Sequence, residues 1–152
     1  MKPRTKARGI ALQALYEIDS TDHGIGTVLD NLFTHSPLED RLEDFTRDIV
    51  IGVVPLREIL DETLAEHAPE WPIDQISIID RNILRVALWE ISIMHDTPLK
   101  VAINEAVELA KKFGSDSSPR FVNGVLGSLA DHENEIQLSI KAKITALDSQ
   151  RP

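Results

Sequence analysis

Apolar residues recur at helical spacing along almost the whole chain, and the pattern is clearest between Thr97 and Leu126. There it predicts a helix, a short polar turn and a second helix, because the apolar positions of each segment fall on one half of a helical wheel. Thr97 is predicted to cap the first of these helices, with Pro98 at its first position. Gly114 is predicted to end it as a residue with positive φ.

The first half of the chain predicts three or four more helices. The spacing favours one helix from about residue 4 or 5 to residue 19, and another over residues 25–35. A third begins near residue 38 and keeps its apolar spacing as far as residue 65. Pro55 interrupts the hydrogen-bond ladder of this third helix, so we expect a kink or a break there.

Two prolines in HAPEWPID, at residues 67–74, divide the chain into halves. Residues 73–95 then predict the most apolar helix, which we expect to be buried on more than one side and to pack against both halves. Within it, Arg81 and Arg85 have no acid three or four residues away, so an ion-pair partner has to come from another helix. Trp89 is expected in the core.

These helices predict an all-α protein with one domain over residues 1–132, made of subdomains at 1–68 and 73–132. An extension follows at residues 133–152, where the helical spacing is weak. An added helix, a dimer contact and a frayed tail would each explain the extension, and we favour the helix.

Composition narrows the class of protein. The 152 residues suit one domain or two small subdomains with a shared core. The absence of cysteine excludes disulfides, zinc–thiolate sites and cysteine nucleophiles. No apolar run approaches the roughly 20 residues that span a bilayer, and the N-terminus lacks a signal-peptide core. We therefore expect a cytoplasmic protein that does not contact membranes.

The charge is distributed unevenly, although its net value is −9. Residues 1–16 contain four basic residues and no acid, whereas residues 17–96 contain 18 acids and 5 bases. Residues 97–152 contain seven of each. Such a chain can offer a basic end to RNA while its acidic middle faces a basic protein.

Catalytic motifs are absent from the sequence. It has no GxGxxG, P-loop, HExxH or GxSxG, and its five histidines lie on different segments without metal-ligand spacing. The carboxylates between residues 40 and 66 are explained by a solvated helix face. We expect no enzyme activity, no cofactor and no bound metal.

Three segments are similar to those of a known family. They read ARGIALQALYEID near the start, DRNILRVALWEI at residues 80–91, and VAINEAVELAKKFG followed after a short turn by RFVNGVL. Together they resemble the NusB family of transcription antitermination factors, in order, over residues 2–130. The resemblance implies an all-α protein of about seven helices in two packed helical subdomains.

The resemblance also implies an RNA-binding adaptor that acts with NusE, which is ribosomal protein S10 in a second role. Such a pair recognises a boxA-like single-stranded element in nascent transcripts, especially ribosomal RNA leaders. With other Nus factors it helps RNA polymerase pass terminators. Affinity is then expected from a basic strip, and specificity from the joint surface with NusE.

NusB proteins bind RNA through the arginine-rich start of the first helix, and the polar turn near residue 117 extends the same surface. By resemblance and charge, the RNA-binding candidates are Lys2, Arg4, Lys6, Arg8, Gln13, Lys111, Lys112, Ser117, Arg120 and Phe121. The resemblance assigns NusE binding to Tyr16, Asp74 and Asp80. Without the resemblance, a solvated N-terminus would explain the basic first turn.

Three positions depart from the family pattern. Thr5 and Gly9 stand where a basic and an acidic residue are often found, so RNA binding should be weaker or less dependent on salt. Ser117 stands where an acid is common, and its hydroxyl repels phosphate less than a carboxylate would.

The alternative hypothesis for the function is a homodimeric protein-interaction module whose RNA surface is occluded or absent.

Overall fold

The computed structural model describes residues 2–94 and 96–150, which form helices, turns and loops but no strand. Eight α-helices follow one another: α1 Pro3–Ser20, α2 Ile25–His35, α3 Asp40–Val53, α4 Arg57–His67, α5 Ile78–Trp89, α6 Leu99–Phe113, α7 Ser118–Ala130 and α8 Glu133–Ser149. The predicted all-α fold is confirmed. The count exceeds the expected seven by one because the C-terminal extension forms a full helix.

Helix α5 is the centre of the fold, as its apolar sequence predicted. It packs against α1, α3 and α4 from the first half and against α6 and α7 from the second. Residues 82–89 are all buried. The helix begins later than predicted, however, because residues 73–75 form a separate 3₁₀ turn and Ile76 is extended. Ser77 then caps α5, accepting a hydrogen bond from the backbone N–H of Asp80 at 3.1 Å.

The interruption predicted at Pro55 is a break between two helices. Helix α3 ends at Val53, the residues 54–56 form a 3₁₀ turn, and α4 begins at Arg57. Proline lacks the N–H that would continue the α-helical ladder, so the chain tightens into this turn instead. The guanidinium of Arg57 donates to the carbonyl of Val54 across the turn at 3.0 Å.

Two predictions about the ends of α6 are wrong. The helix begins at Leu99 with Pro98 just before it, and Thr97 makes no cap because its hydroxyl donates to the buried carboxylate of Glu90 at 3.2 Å. Gly114 has φ of −90°, not a positive value. Glycine is needed there for space, since a Cβ would lie 2.5 Å from the Cβ and Oγ of Ser118.

The extension after residue 132 packs onto the rest of the protein through α8. Ile136 and Ile140 are buried, and the Gln137 side chain donates to the carbonyl of Ile91 at 3.0 Å. The Lys143 ammonium lies 3.0 Å from the Glu66 carboxylate on α4. Of the three explanations offered for the extension, the structure shows the added helix. The domain boundaries at residues 68, 73 and 132 stay predictions. No helix within residues 2–94 and 96–150 is long and apolar enough to cross a membrane.

Candidate nucleic-acid interface

The start of α1 and the end of α6 form an open groove of about 590 Å³. We call it the α1–α6 groove. Its lining residues are Lys2, Thr5, Gly9, Asn104, Glu105, Glu108, Leu109, Lys111, Lys112 and Phe113. Three of the predicted RNA-binding residues, Lys2, Lys111 and Lys112, therefore lie around one groove although 109 positions separate the first from the second. The fold brings them together because α6 ends beside the first turns of α1.

The two acids of the α1–α6 groove both have partners. The Thr5 hydroxyl lies 2.9 and 3.0 Å from the two carboxylate oxygens of Glu105. Arg8 Nη1 lies 3.6 Å from the same carboxylate. Glu108 pairs on the surface with Lys111 at 3.1 Å. These contacts compensate part of the negative charge, so the three lysines dominate the rim of the groove.

Arg4 is exposed on the side of α1 that faces α3. Its guanidinium carbon lies 4.6 Å from the centre of the Phe45 ring, and this stacking holds the planar cation against the surface. Phe45 itself is buried. Lys6 and Gln13 are also exposed. Lys6 stands one helical turn after Lys2 and on the same face of α1.

Arg8 does not join this exposed set. Only 3% of its side chain is exposed, and the guanidinium makes three hydrogen bonds of 2.8–3.2 Å to the carboxylate of Glu90. The expectation that Arg8 contacts RNA does not fit this burial. The helical period explains the difference, because Arg8 points inward with its neighbours Ala7 and Ala11 whereas Lys6 points outward.

The other three RNA-binding candidates lie at the start of α7, and none of them lines the α1–α6 groove. Ser117 is exposed, and its hydroxyl lies 3.2 Å from the Ser115 hydroxyl. Arg120 is exposed as well. Phe121 is half-buried, with its ring edge-on to Trp71 at a centroid distance of 5.5 Å.

The residues predicted to bind NusE lie at the opposite end of α1 from its basic turns. Tyr16 is 44% exposed. Asp80 is in the first turn of α5, and its Oδ1 is buried without a hydrogen-bond partner among the residues that the structure describes. Asn82 donates to Asp19 at 2.9 Å, which ties the end of α1 to the start of α5. Asp74 is exposed in the turn before α5, and its carbonyl accepts from Arg81 at 3.2 Å.

Arg85 completes the connection between α1, α4 and α5. Its guanidinium donates to Asp61 of α4 at 2.6 and 2.8 Å and to Asp19 of α1 at 2.9 Å. Burial by itself would lower the pKa of Arg85, but the hydrogen bonds and charges of Asp61 and Asp19 outweigh burial and raise it. The partners come from other helices, as the sequence predicted.

A second depression, of about 740 Å³, lies between α4 and the start of α5. Four acids line it, with Arg81 as the only basic residue among its lining: Glu58, Asp61, Glu62 and Asp74. Four acids from the acidic middle of the sequence therefore converge on one depression, which includes Asp74, a residue predicted to bind NusE.

The fold and these surfaces define an all-α binding protein of two packed helical halves, basic at the start of α1 and acidic along α4. The chain belongs to the NusB family, whose profile matches residues 5–131.

Relatives and solved structures agree with this assignment. Transcription antitermination protein NusB of Dehalococcoides mccartyi strain CBDB1 is 49% identical over 136 residues, covering 87% of this chain and 95% of the relative. The structure of Thermotoga maritima NusB superposes with a TM-score of 0.76 at 27% identity, covering 86% of this chain and 92% of that one. A crystal structure of the antitermination factors NusB and NusE with double-stranded RNA also reaches a TM-score of 0.76, covering 87% and 98%. At 23% identity this last match supports the fold alone.

Several residues that shape the interface escaped the sequence analysis. Glu90 and Glu105 hold Arg8 and Thr5, and Phe45 supports Arg4. Glu90 could have been noticed as a single acid that follows the eight buried residues 82–89. Phe45 and Glu105 give no such signal, because an aromatic on an amphipathic helix is usually core and a glutamate on α6 is usually solvated.

Proposed function

We propose that this protein is a transcription antitermination factor. It acts as an RNA-binding adaptor that, with NusE, recognises boxA-like single-stranded RNA in nascent ribosomal RNA transcripts and modifies elongation by RNA polymerase. Membership of the NusB family and the convergence of Lys2, Lys111 and Lys112 on one groove support this proposal. The role is that of a binding protein in the cytoplasm rather than an enzyme.

The proposed RNA surface comprises the exposed candidates and the half-buried Phe121, and it leaves out Arg8. These are Lys2, Arg4, Lys6, Gln13, Lys111, Lys112, Ser117, Arg120 and Phe121. Exposed lysine and arginine side chains can replace the counterions around phosphates, and Arg4 is already held flat on Phe45. Arg8 acts indirectly, because its pairing with Glu90 fixes the orientation of the helix that carries Lys2, Arg4 and Lys6.

The proposed NusE surface comprises Tyr16, Asp74 and Asp80. An exposed tyrosine and the exposed Asp74 suit a partner that donates hydrogen bonds and carries positive charge, while Asp80 is partly buried beside them. The acidic depression between α4 and α5 extends this surface. The complex would then present its RNA to RNA polymerase together with the other Nus factors.

Fluorescence anisotropy of a labelled boxA-like RNA tests the proposed function. The protein is titrated alone and with an equimolar NusE homologue, at two salt concentrations, against a scrambled RNA. We expect binding that prefers boxA, tightens with NusE and weakens with salt. The double variant Lys111→Gln/Lys112→Gln should weaken RNA binding. Lys141→Gln is the control, because Lys141 is an exposed residue of α8 that does not line the groove.

Absence of RNA binding with and without the NusE homologue would contradict the proposal. The solution mass of the same protein then decides whether a homodimer covers the basic surface. A dimer that does not bind RNA would support the protein-interaction alternative.

A further inference from the structure

We propose that the α1–α6 groove is a subsite for one unstacked nucleobase of the bound RNA, with Phe113 as the surface on which the base stacks. The inference rests on the proposed function and deepens it. It adds Phe113, Gly9, Asn104 and Glu105 to the residues that contact RNA, and it gives the groove a role in reading sequence rather than in phosphate binding alone.

The ring of Phe113 packs closely against α1 at the buried Gly9 and is partly exposed where it lines the groove. A Cβ at Gly9 would lie 3.3 Å from Cε2 and 3.4 Å from Cζ of Phe113, which is tight contact. Any side chain longer than alanine would therefore extend from α1 over the edge of the ring. Glycine therefore allows the first turns of α1 to lie against the Phe113 ring of α6, at the edge of the groove that both residues line.

The size of the groove suits a base. Its volume of about 590 Å³ is within the range of roughly 300–1,000 Å³ that small-molecule sites occupy. A base with its ribose fits inside, and the groove is open on one side, so the RNA chain can enter and leave. Proteins bind single-stranded RNA by splaying out individual bases and stacking them on aromatic side chains.

The charges of the groove favour a neutral group inside and an anionic chain outside. Glu105 and Glu108 line the groove and would repel a phosphate or an acidic peptide placed among them. Lys2, Lys111 and Lys112 also line it, and the Lys112 ammonium lies 5.3 Å from the centre of the Phe113 ring. A base stacked on Phe113 would thus place its flanking phosphates within reach of these lysines.

Polar groups are available for the edge of the base. Asn104 and Glu105 line the same groove, and Thr5 holds the Glu105 carboxylate in place with hydrogen bonds of 2.9 and 3.0 Å. A carboxylate accepts hydrogen bonds from the N–H groups of a base, and an amide side chain can both donate and accept. The subsite therefore has the stacking surface and the hydrogen-bonding groups that base recognition requires.

The test combines an abasic scan of the RNA with two variants of the protein. Labelled boxA-like RNAs that each carry one abasic nucleotide are titrated with the wild-type protein, with Phe113→Leu and with Gly9→Gln, and thermal unfolding confirms that the variants are folded. Leucine keeps apolar bulk without the aromatic face. Glutamine at position 9 keeps the phenylalanine but inserts a side chain between α1 and its ring, which closes the groove.

We expect one position at which loss of the base weakens wild-type binding about tenfold, a factor within the range of base–aromatic stacking. Both variants should bind the intact RNA about tenfold more weakly and should be insensitive to base loss at that position. The subsite is wrong if the variants bind intact RNA like the wild type, or if the abasic effect persists in both. Wild-type protein that binds none of the RNAs would instead overturn the proposed function, so the two failures are distinguishable.

Discussion

Arg8 of α1 and Glu90, the residue directly after α5, form a buried ion pair in which three hydrogen bonds of 2.8–3.2 Å join the two side chains. Thr97 donates a further bond to Glu90 at 3.2 Å. The pair thus connects α1, α5 and the segment before α6. These elements carry the basic turns and the α1–α6 groove. The geometry of the interface therefore depends on an ion pair that is buried and does not face the groove surface.

Breaking this pair should destabilise the protein strongly. Arg8→Met leaves the Glu90 carboxylate buried without its main partner, and removal of one member of a buried pair typically costs about 3–5 kcal/mol. The free energy of unfolding in urea measures the loss. Glu108→Gln, which removes the exposed pair with Lys111, is the control and should change stability by less than about 1 kcal/mol.

The double variant Arg8→Met/Glu90→Leu separates charge burial from packing. It removes both charges, so it should recover much of the stability that Arg8→Met loses. A double variant as unstable as Arg8→Met alone would mean that shape, rather than the uncompensated carboxylate, dominates the cost.

Gly52 is predicted to be intolerant of even one methyl group. A Cβ on this α3 residue would lie 2.4 Å from the indole of Trp89, which is buried in the core. Gly52→Ala should therefore cost about 1–3 kcal/mol through overpacking, measured by thermal or urea unfolding. Gly127→Ala on α7 is the matched control, because its Cβ meets nothing within 4 Å and should stabilise the helix by roughly 0.5–1 kcal/mol.

The salt dependence of RNA binding should be steeper when more exposed cations contact phosphates. Lys6→Gln removes one of the proposed phosphate contacts, so the slope of log Kd against log salt should become shallower by about 0.7. Anisotropy titrations at four or more salt concentrations give this slope. Lys141→Gln should leave it unchanged, and an equal change for both variants would show that net charge alone controls binding.

The proposed NusE surface predicts a variant that separates the two partners. Tyr16→Ala removes an exposed aromatic from the end of α1 and should weaken binding of a NusE homologue by about 1–2 kcal/mol, measured by calorimetry. Binding of RNA to the protein alone should not change. Leu138→Ala on α8, where the leucine is 69% exposed, is the control for loss of surface apolar area.

Local spacing predicted most of the helices because each amphipathic segment has to bury one face, whichever helix covers it. The 25–35 helix and the break at Pro55 follow from such local rules. The ends of α6 did not, since the Thr97 hydroxyl donates to Glu90 and Ser118 lies where a Cβ of residue 114 would be, and both arrangements depend on how the chain packs around the helix.

The interface shows the same division. That lysines cluster near α1 and α6 could be expected from charge and family resemblance, whereas the sequence could not reveal which cations are exposed. Arg8 and Arg4 are one turn apart, yet Glu90 buries the first and Phe45 supports the second at the surface. Partners 82 and 41 positions away decide between these outcomes, and no local pattern encodes them.

The hydrogen bond from Gln137 to the Ile91 carbonyl bears on how short the chain can be and still fold stably. The family profile stops at residue 131, but α8 packs against α4 and against the π-helical turn Glu90–Met94 that follows α5, and it buries Ile136 and Ile140. A chain cut at the profile boundary would open a hollow in its own core and leave a helix-end carbonyl without its amide donor. The C-terminal helix is therefore part of the folding unit of this chain, and a stable shorter version would need new side chains to refill the hollow.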